Sequence, residues 1–152
     1  ATVASGTLTV ESGILLDEAN ITTIDGLLAV HSQIISFPGD LPSRINGDVQ
    51  LNTTNVQVFV AEGTANRDLD IAAVISQAPG ITASLIKEGA GRLFLTGENS
   101  YRGITRINQG SVAVAGAKDL GQGEYVVDEG ATLIGTGRLP QLRVIEGNVN
   151  PG

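Results

Sequence analysis

The 152-residue chain contains no cysteine, no methionine and no tryptophan. Without cysteine there are no disulfides, no thiolate nucleophiles and no cysteine-ligated metals. That absence also suits export as an unfolded chain, in which a premature disulfide would obstruct passage. Aromatic residues are limited to two tyrosines and three phenylalanines, so the core is not built on large aromatic anchors. Cations are scarce as well: nine Lys and Arg against sixteen Asp and Glu give a net charge of −7. Nucleic acid is not expected as a partner, because phosphates require a basic footprint. Anionic membrane surfaces are disfavoured for the same reason. No run reaches the roughly 18 apolar residues of a membrane span, so this segment is not expected to insert directly into a bilayer. The pattern of a signal peptide is also missing.

A single histidine, His31, restricts chemistry further. Any Ser-His triad would have to use it, and no G-x-S-x-G elbow exists. It has no partners at metal-ligand spacing and reads as a solvated residue at a loop edge. No amphipathic helix of three turns appears. No catalytic, cofactor-binding or metal-ligating residue is assigned, and no cofactor is expected.

The chain does contain twenty glycines, 41% hydrophobic residues and a mean hydropathy of +0.16, enough to bury a core. Short alternating runs carry the strand signal. They include Gly6 to Val10, Ile14 to Leu16, Ile21 to Val30, Asp48 to Leu51 and Val56 to Val60. Leu69 to Ile75 is too short for periodicity to separate a strand from a helical turn. His31 to Asn46 contains Phe37-Pro38-Gly39-Asp40-Leu41-Pro42. Proline removes a ladder donor, so residues 31–46 are expected to leave the regular winding as a loop. An acidic or amide residue precedes glycine at Gly63, Gly89, Gly110, Gly130 and Gly147. The steps are 26, 21, 20 and 17 residues, from 89 − 63, 110 − 89, 130 − 110 and 147 − 130. Steps of about 20 residues with several short strands indicate a solenoid winding. They are too short for βαβ units. A β-sandwich is the structural alternative.

The strongest pattern spans residues 85–114. Two alternating runs flank a turn-rich link at Gly97, Glu98, Asn99, Ser100 and Gly103. The ordered residues are Lys87, Gly89, Gly91, Leu93, Leu95, Gly97, Asn99, Tyr101, Gly103, Thr105, Ile107 and Gly110. This pattern resembles the β-strand repeat of autotransporter passenger domains, the secreted parts of type V secretion proteins of Gram-negative bacteria. Weaker echoes follow at Gly135 to Leu139 and at Asn150-Pro151-Gly152.

The resemblance implies an all-β, right-handed, single-stranded parallel β-helix. About 20 residues per coil gives about seven coils, each expected to hold about three strands. The whole of 1–152 would be one segment of a longer passenger, with its signal and its C-terminal translocator barrel elsewhere in the parent chain. Alternation points Leu8, Val10, Leu93, Leu95, Tyr101, Gly103, Thr105, Ile107, Val112 and Val114 inward, and Arg92, Arg102 and Arg106 outward. Phe94 falls outside, and the 31–46 loop is its expected cover.

Other motifs have bland readings. Gly89-Ala90-Gly91 begins like a dinucleotide fingerprint, but Phe94 occupies the third glycine position and no helix follows. Asp68 and Asp70 could share a strand face and hold calcium, or form a solvated acidic face or a pair bonded to Arg67. Asp17-Glu18 is a second acidic pair. Paired carboxylates could serve glycoside hydrolysis, but groups suited to a sugar groove are sparse. Asn20-Ile21-Thr22 and Asn52-Thr53-Thr54 match the glycosylation acceptor by chance. The expected role is a structural segment of a cell-surface or secreted passenger. The alternative is an adhesin module binding a host protein or glycan through exposed loops, its ligand unknown.

Overall fold

The computed structural model describes residues 1–115, 121–136 and 138–151. Its strands are numbered β1 to β15 along the chain. One sheet holds β1 (Thr2–Val10), β3 (Asn20–Val30), β5 (Ser43–Leu51), β7 (Leu69–Gln77), β9 (Arg92–Leu95), β11 (Ser111–Val114), β13 (Thr132–Gly135) and β15 (Asn148–Pro151) in that order. The other runs β2 (Ile14–Leu16), β4 (Gln33–Ser36), β6 (Asn55–Val60), β8 (Ser84–Glu88), β10 (Thr105–Ile107), β12 (Glu124–Val127) and β14 (Gln141–Val144). Every neighbouring pair in both sheets is parallel. No helix occurs among the described residues. The chain alternates between the sheets, so it winds as a parallel β-solenoid of about seven turns.

Register converts sequence spacing into columns. Thr105 pairs with both Leu85 and Tyr125, one coil in each direction. Inward positions stack as like upon like. Ile45, Ile71, Leu95 and Val114 form one column; Leu69, Leu93, Val112 and Leu133 form another. All eight are buried. Burying such an aliphatic side chain contributes about 1.5–3 kcal/mol, so each column adds apolar stabilisation to every coil it passes through.

Several expectations are corrected. A coil contains two strands, one from each sheet, rather than three. The run from Leu69 to Ile75, open between strand and helical turn, lies within the strand Leu69–Gln77. The 31–46 excursion shrinks to 37–42, because Gln33–Ser36 and Ser43–Leu51 are strands on either side. Pro38 and Pro42 both fall within that corner, where no sheet partner needs their missing N–H. The corner stacks between its neighbours. The Arg67 guanidinium lies 4.4 Å from the Phe94 ring centroid, a cation–π contact. Leu8 shares the register of buried Leu28 but is 41% exposed, because β1 is the edge strand of its sheet. The echo at Gly137 and the terminal Gly152 lie outside the described residues.

Candidate functional site

Strand β8 alternates Leu85, Ile86, Lys87, so its two-residue period brings Lys87 to the inside. Its column reads Ile14, Ile34, Val58, Lys87, Ile107, Val127, aliphatic except at Lys87. The side chain is fully buried, at 0% exposure. The ammonium donates to the carbonyl oxygens of Glu88 at 2.8 Å, Gly89 at 2.6 Å and Gln109 at 3.2 Å. All three of its N–H donors are therefore used. The first two acceptors belong to its own corner and the third to the next coil, so one cation fastens two turns together.

Burial lowers the Lys87 pKa to about 8, while the charges of Asp68 and Glu88 pull it back upward. At neutral pH the group is an ammonium without a free lone pair. Its three bonds hold backbone carbonyls of two coils.

Backbone conformation supplies those carbonyls. Gly89 has φ +79 and Gly110, one coil on, has φ +67, a region that glycine enters without strain. A Cβ at Gly110 would stand 2.5 to 2.7 Å from the carbonyl oxygens of Gly89, Ala90 and Gly91. The stacked corners are thus closer than any side chain permits. Gly91, Gly97 and Gly103 meet the same limit against the carbonyls of Ala61, Ala73 and Ala83 in the preceding coil.

The remaining repeat residues are structural in the same sense. Leu93, Leu95 and Ile107 are fully buried. Asn99 Oδ1 accepts the Ile75 N–H at 3.2 Å. The Tyr101 hydroxyl lies 2.6 Å from Thr105 Oγ1, and Tyr125 joins the same buried hydroxyl cluster. Burial raises the Tyr101 pKa, partly offset by hydrogen bonds to Thr105 and Tyr125. Burial and the neighbouring Tyr101 raise that of Tyr125 well above the ordinary range.

Asp68 and Asp70 separate in role. Asp68, 7% exposed, accepts the Gly63 N–H at 2.9 Å and the Arg92 N–H at 2.7 Å. It is a fastening point between two coils. Asp70, not Asp68, takes Arg67, at 3.0 Å. Among the described residues, no cluster of three or more His, Cys, Asp or Glu could hold a metal. His31 is half-buried, its Nε2 3.1 Å from Asn52 Nδ2 and its Nδ1 3.6 Å from Glu11 Oε2. Outward Arg106 grips Asp128 at 2.7 and 3.0 Å; Arg92 and Arg102 are exposed. Sequence reasoning placed the repeat but missed the inward lysine and the Asp68 tie. Counting by two from Leu85 finds the lysine; no local pattern announces Asp68.

Comparison with known proteins follows this geometry. Residues 85–114 match the model of the passenger-associated-transport-repeat family. The chain is 32% identical over 108 residues, 70% of its length, to the adhesin BmaC autotransporter of Brucella suis biovar 1 (strain 1330). It is 41% identical over 69 residues, 45% of its length, to an extracellular serine protease of Serratia marcescens. It spans only 3% and 6% of those two relatives. No solved structure matches.

Proposed function

Since residues 85–114 are an autotransporter passenger repeat, we propose that the chain is a structural segment of a passenger that is secreted or displayed at the cell surface. Its work is mechanical: it crosses the outer membrane extended, folds outside, and forms a stiff spacer that presents neighbouring parts of the parent chain. Its partner in export is a translocator barrel at the C-terminal end of that parent. The observation that carries this reading is the Lys87 corner, where a buried cation joins carbonyls of successive coils. In a solenoid each coil contacts only its neighbours, so folding can start at one point and propagate. A coil locked to the next favours that propagation and opposes backsliding through a pore.

The segment is read as non-catalytic. The relative named as a protease matches over only 6% of its own length, and His31 is held by Asn52 and Glu11. The test is surface accumulation of the segment fused ahead of an autotransporter barrel. Lys87→Ala and Gly103→Val should each lower the amount displayed while leaving the barrel inserted. Undiminished display by both variants would reject the folding role. A second reading, an adhesin module, draws support from the likeness to the Brucella suis adhesin.

A further inference from the structure

The outer face of the second sheet carries a column of apolar residues in its first three coils. Leu15, Ile35 and Phe59 stand in register there, one per coil. Leu15 is 65% exposed and Phe59 44%. Phe37, 45% exposed, follows β4 on the same side, alternating with buried Ser36. The result is an apolar ridge along the solenoid axis, with rungs about 4.8 Å apart.

One edge of this ridge is a column of stacked acidic corners. Glu18 accepts the Asp40 N–H at 2.7 Å, and Asp40 accepts the Thr64 hydroxyl at 2.5 Å. Those bonds fix the carboxylates without neutralising them. Asp17, Glu18, Asp40 and Glu62 form no ion pair with a described residue. The ridge itself ends on Glu88, in register with Phe59. Across residues 1–60 the only Lys or Arg is Arg44, which lies on the other sheet. An apolar stripe beside uncompensated negative charge is complementary to a surface that is apolar and positive. Spacing selects its shape: apolar residues on one face of a helix recur every turn, about 5.4 Å, close to the rung spacing.

We infer that this face docks a cationic amphipathic α-helix, its apolar ridge along Leu15, Ile35 and Phe59 and its lysines or arginines over the corner carboxylates. This stands apart from the passenger role and is tested without it. The probe is a fluorescently labelled helical peptide of leucine and lysine, compared by anisotropy with a scrambled peptide of the same composition. Wild type should bind the helical peptide at least about tenfold more tightly than the scrambled one. The double variant L15S/F59S keeps every charge and should lose about tenfold in affinity, with melting temperature and circular dichroism unchanged. D17N/D40N should also weaken binding and flatten its salt dependence. Glu129→Gln, at an exposed remote corner, should change neither.

Three results overturn the inference. One is L15S/F59S binding as wild type, which leaves bulk charge as the whole attraction. Another is Glu129→Gln weakening binding as much as D17N/D40N. The third is self-association of the free protein that L15S/F59S abolishes, which makes a second copy the occupant.

Discussion

Lys87 shows how one residue can reverse a rule of burial. Taking an ammonium out of water is costly unless hydrogen bonds replace the lost hydration, and three carbonyls do so here. Lys87→Met relieves the buried charge but leaves those acceptors without their donor, at about 1–3 kcal/mol for an unsatisfied group. A loss of roughly 2–4 kcal/mol in urea unfolding at pH 7 is expected. The pH dependence has a definite sign. Folded Lys87 titrates at about 8, against 10.5 for the free side chain. Between those values the unfolded chain binds more protons, so stability rises with pH, by at most ~1.4 kcal/mol per unit. Buried Tyr101 and Tyr125, with raised pKa values, act oppositely. Their stabilisation is full below about 10, where unfolded phenols titrate, and is lost above it. Wild type should therefore gain stability from pH 8 toward pH 10 and then lose it, while Lys87→Met lacks the rise. Equal slopes for the two proteins would remove the lysine from this account. Gly103 teaches a different point. Alternation places it inward at a corner, and positive φ is the usual reason for glycine there. Its φ is not among the positive values; the constraint is the Ala83 carbonyl and Ser84 Oγ where a Cβ would sit. Gly103→Val should still cost roughly 2 kcal/mol or more, through overpacking alone, read as a lower urea midpoint.

At the scale of the element, strands and glycine corners are readable in the sequence, and the ties between coils are not. Alternation depends on residues two apart, so Thr105 to Ile107 and Ser111 to Val114 emerge from a short window, and both are strands. The acid–glycine recurrence located the stacked corners at Gly89, Gly110 and Gly130, all of positive φ. Residues 31–46 misled because proline weighs against a strand wherever it occurs in a window. Here both prolines sit in the six-residue corner 37–42 and the flanking strands are intact. Contacts between coils were the illegible part, since they join residues more than twenty apart that share no local pattern. The corner from Ala61 to Asp68 is the clearest example. It is held through the two Asp68 oxygens, each accepting a backbone N–H, one from Gly63 and one from Arg92. Asp68→Asn replaces one acceptor oxygen by an NH2 group that faces a donor. The expected cost is about 1–3 kcal/mol, and protection of the Arg92 amide should fall with it. If Arg92 exchanges as slowly in the variant as in wild type, the corner is held by something other than this carboxylate.

Across the whole molecule, stability follows the stacking of coils rather than any single core. A coil with neighbours on both sides buries its inward column completely, whereas an end coil leaves one side uncovered. The regularity of the repeat alone favours the C-terminal half, from Leu93 to Ile134, as the most protected region. Strand length shifts that maximum toward the middle. Strands β3, β5 and β7 are 11, 9 and 9 residues long, against 4 each for β9, β11 and β13. Longer ladders add backbone hydrogen bonds and inward side chains to each neighbour term. The Asp68 tie joins the start of β7 to the repeat at Arg92, and the Lys87 tie joins successive coils within the repeat. Both ends are thin: β1 is largely exposed, and β14 and β15 are exposed throughout. Amide exchange should therefore be slowest from Ile45 to Ile107, intermediate from Val112 to Leu133, and fast in Thr2–Val10 and Gln141–Pro151. Under the passenger role proposed above, a chain emerging C-terminal end first would present its short regular coils before the long ladders that fix them. Those coils would hold their place until the Lys87 corner arrives and closes onto Gln109. Lys87→Met should then speed exchange on both sides of residue 87, in Leu93–Val112 as well as in Val56–Leu85. An effect confined to one side would mean that the coils are not coupled through this corner, and that folding passes it by another route.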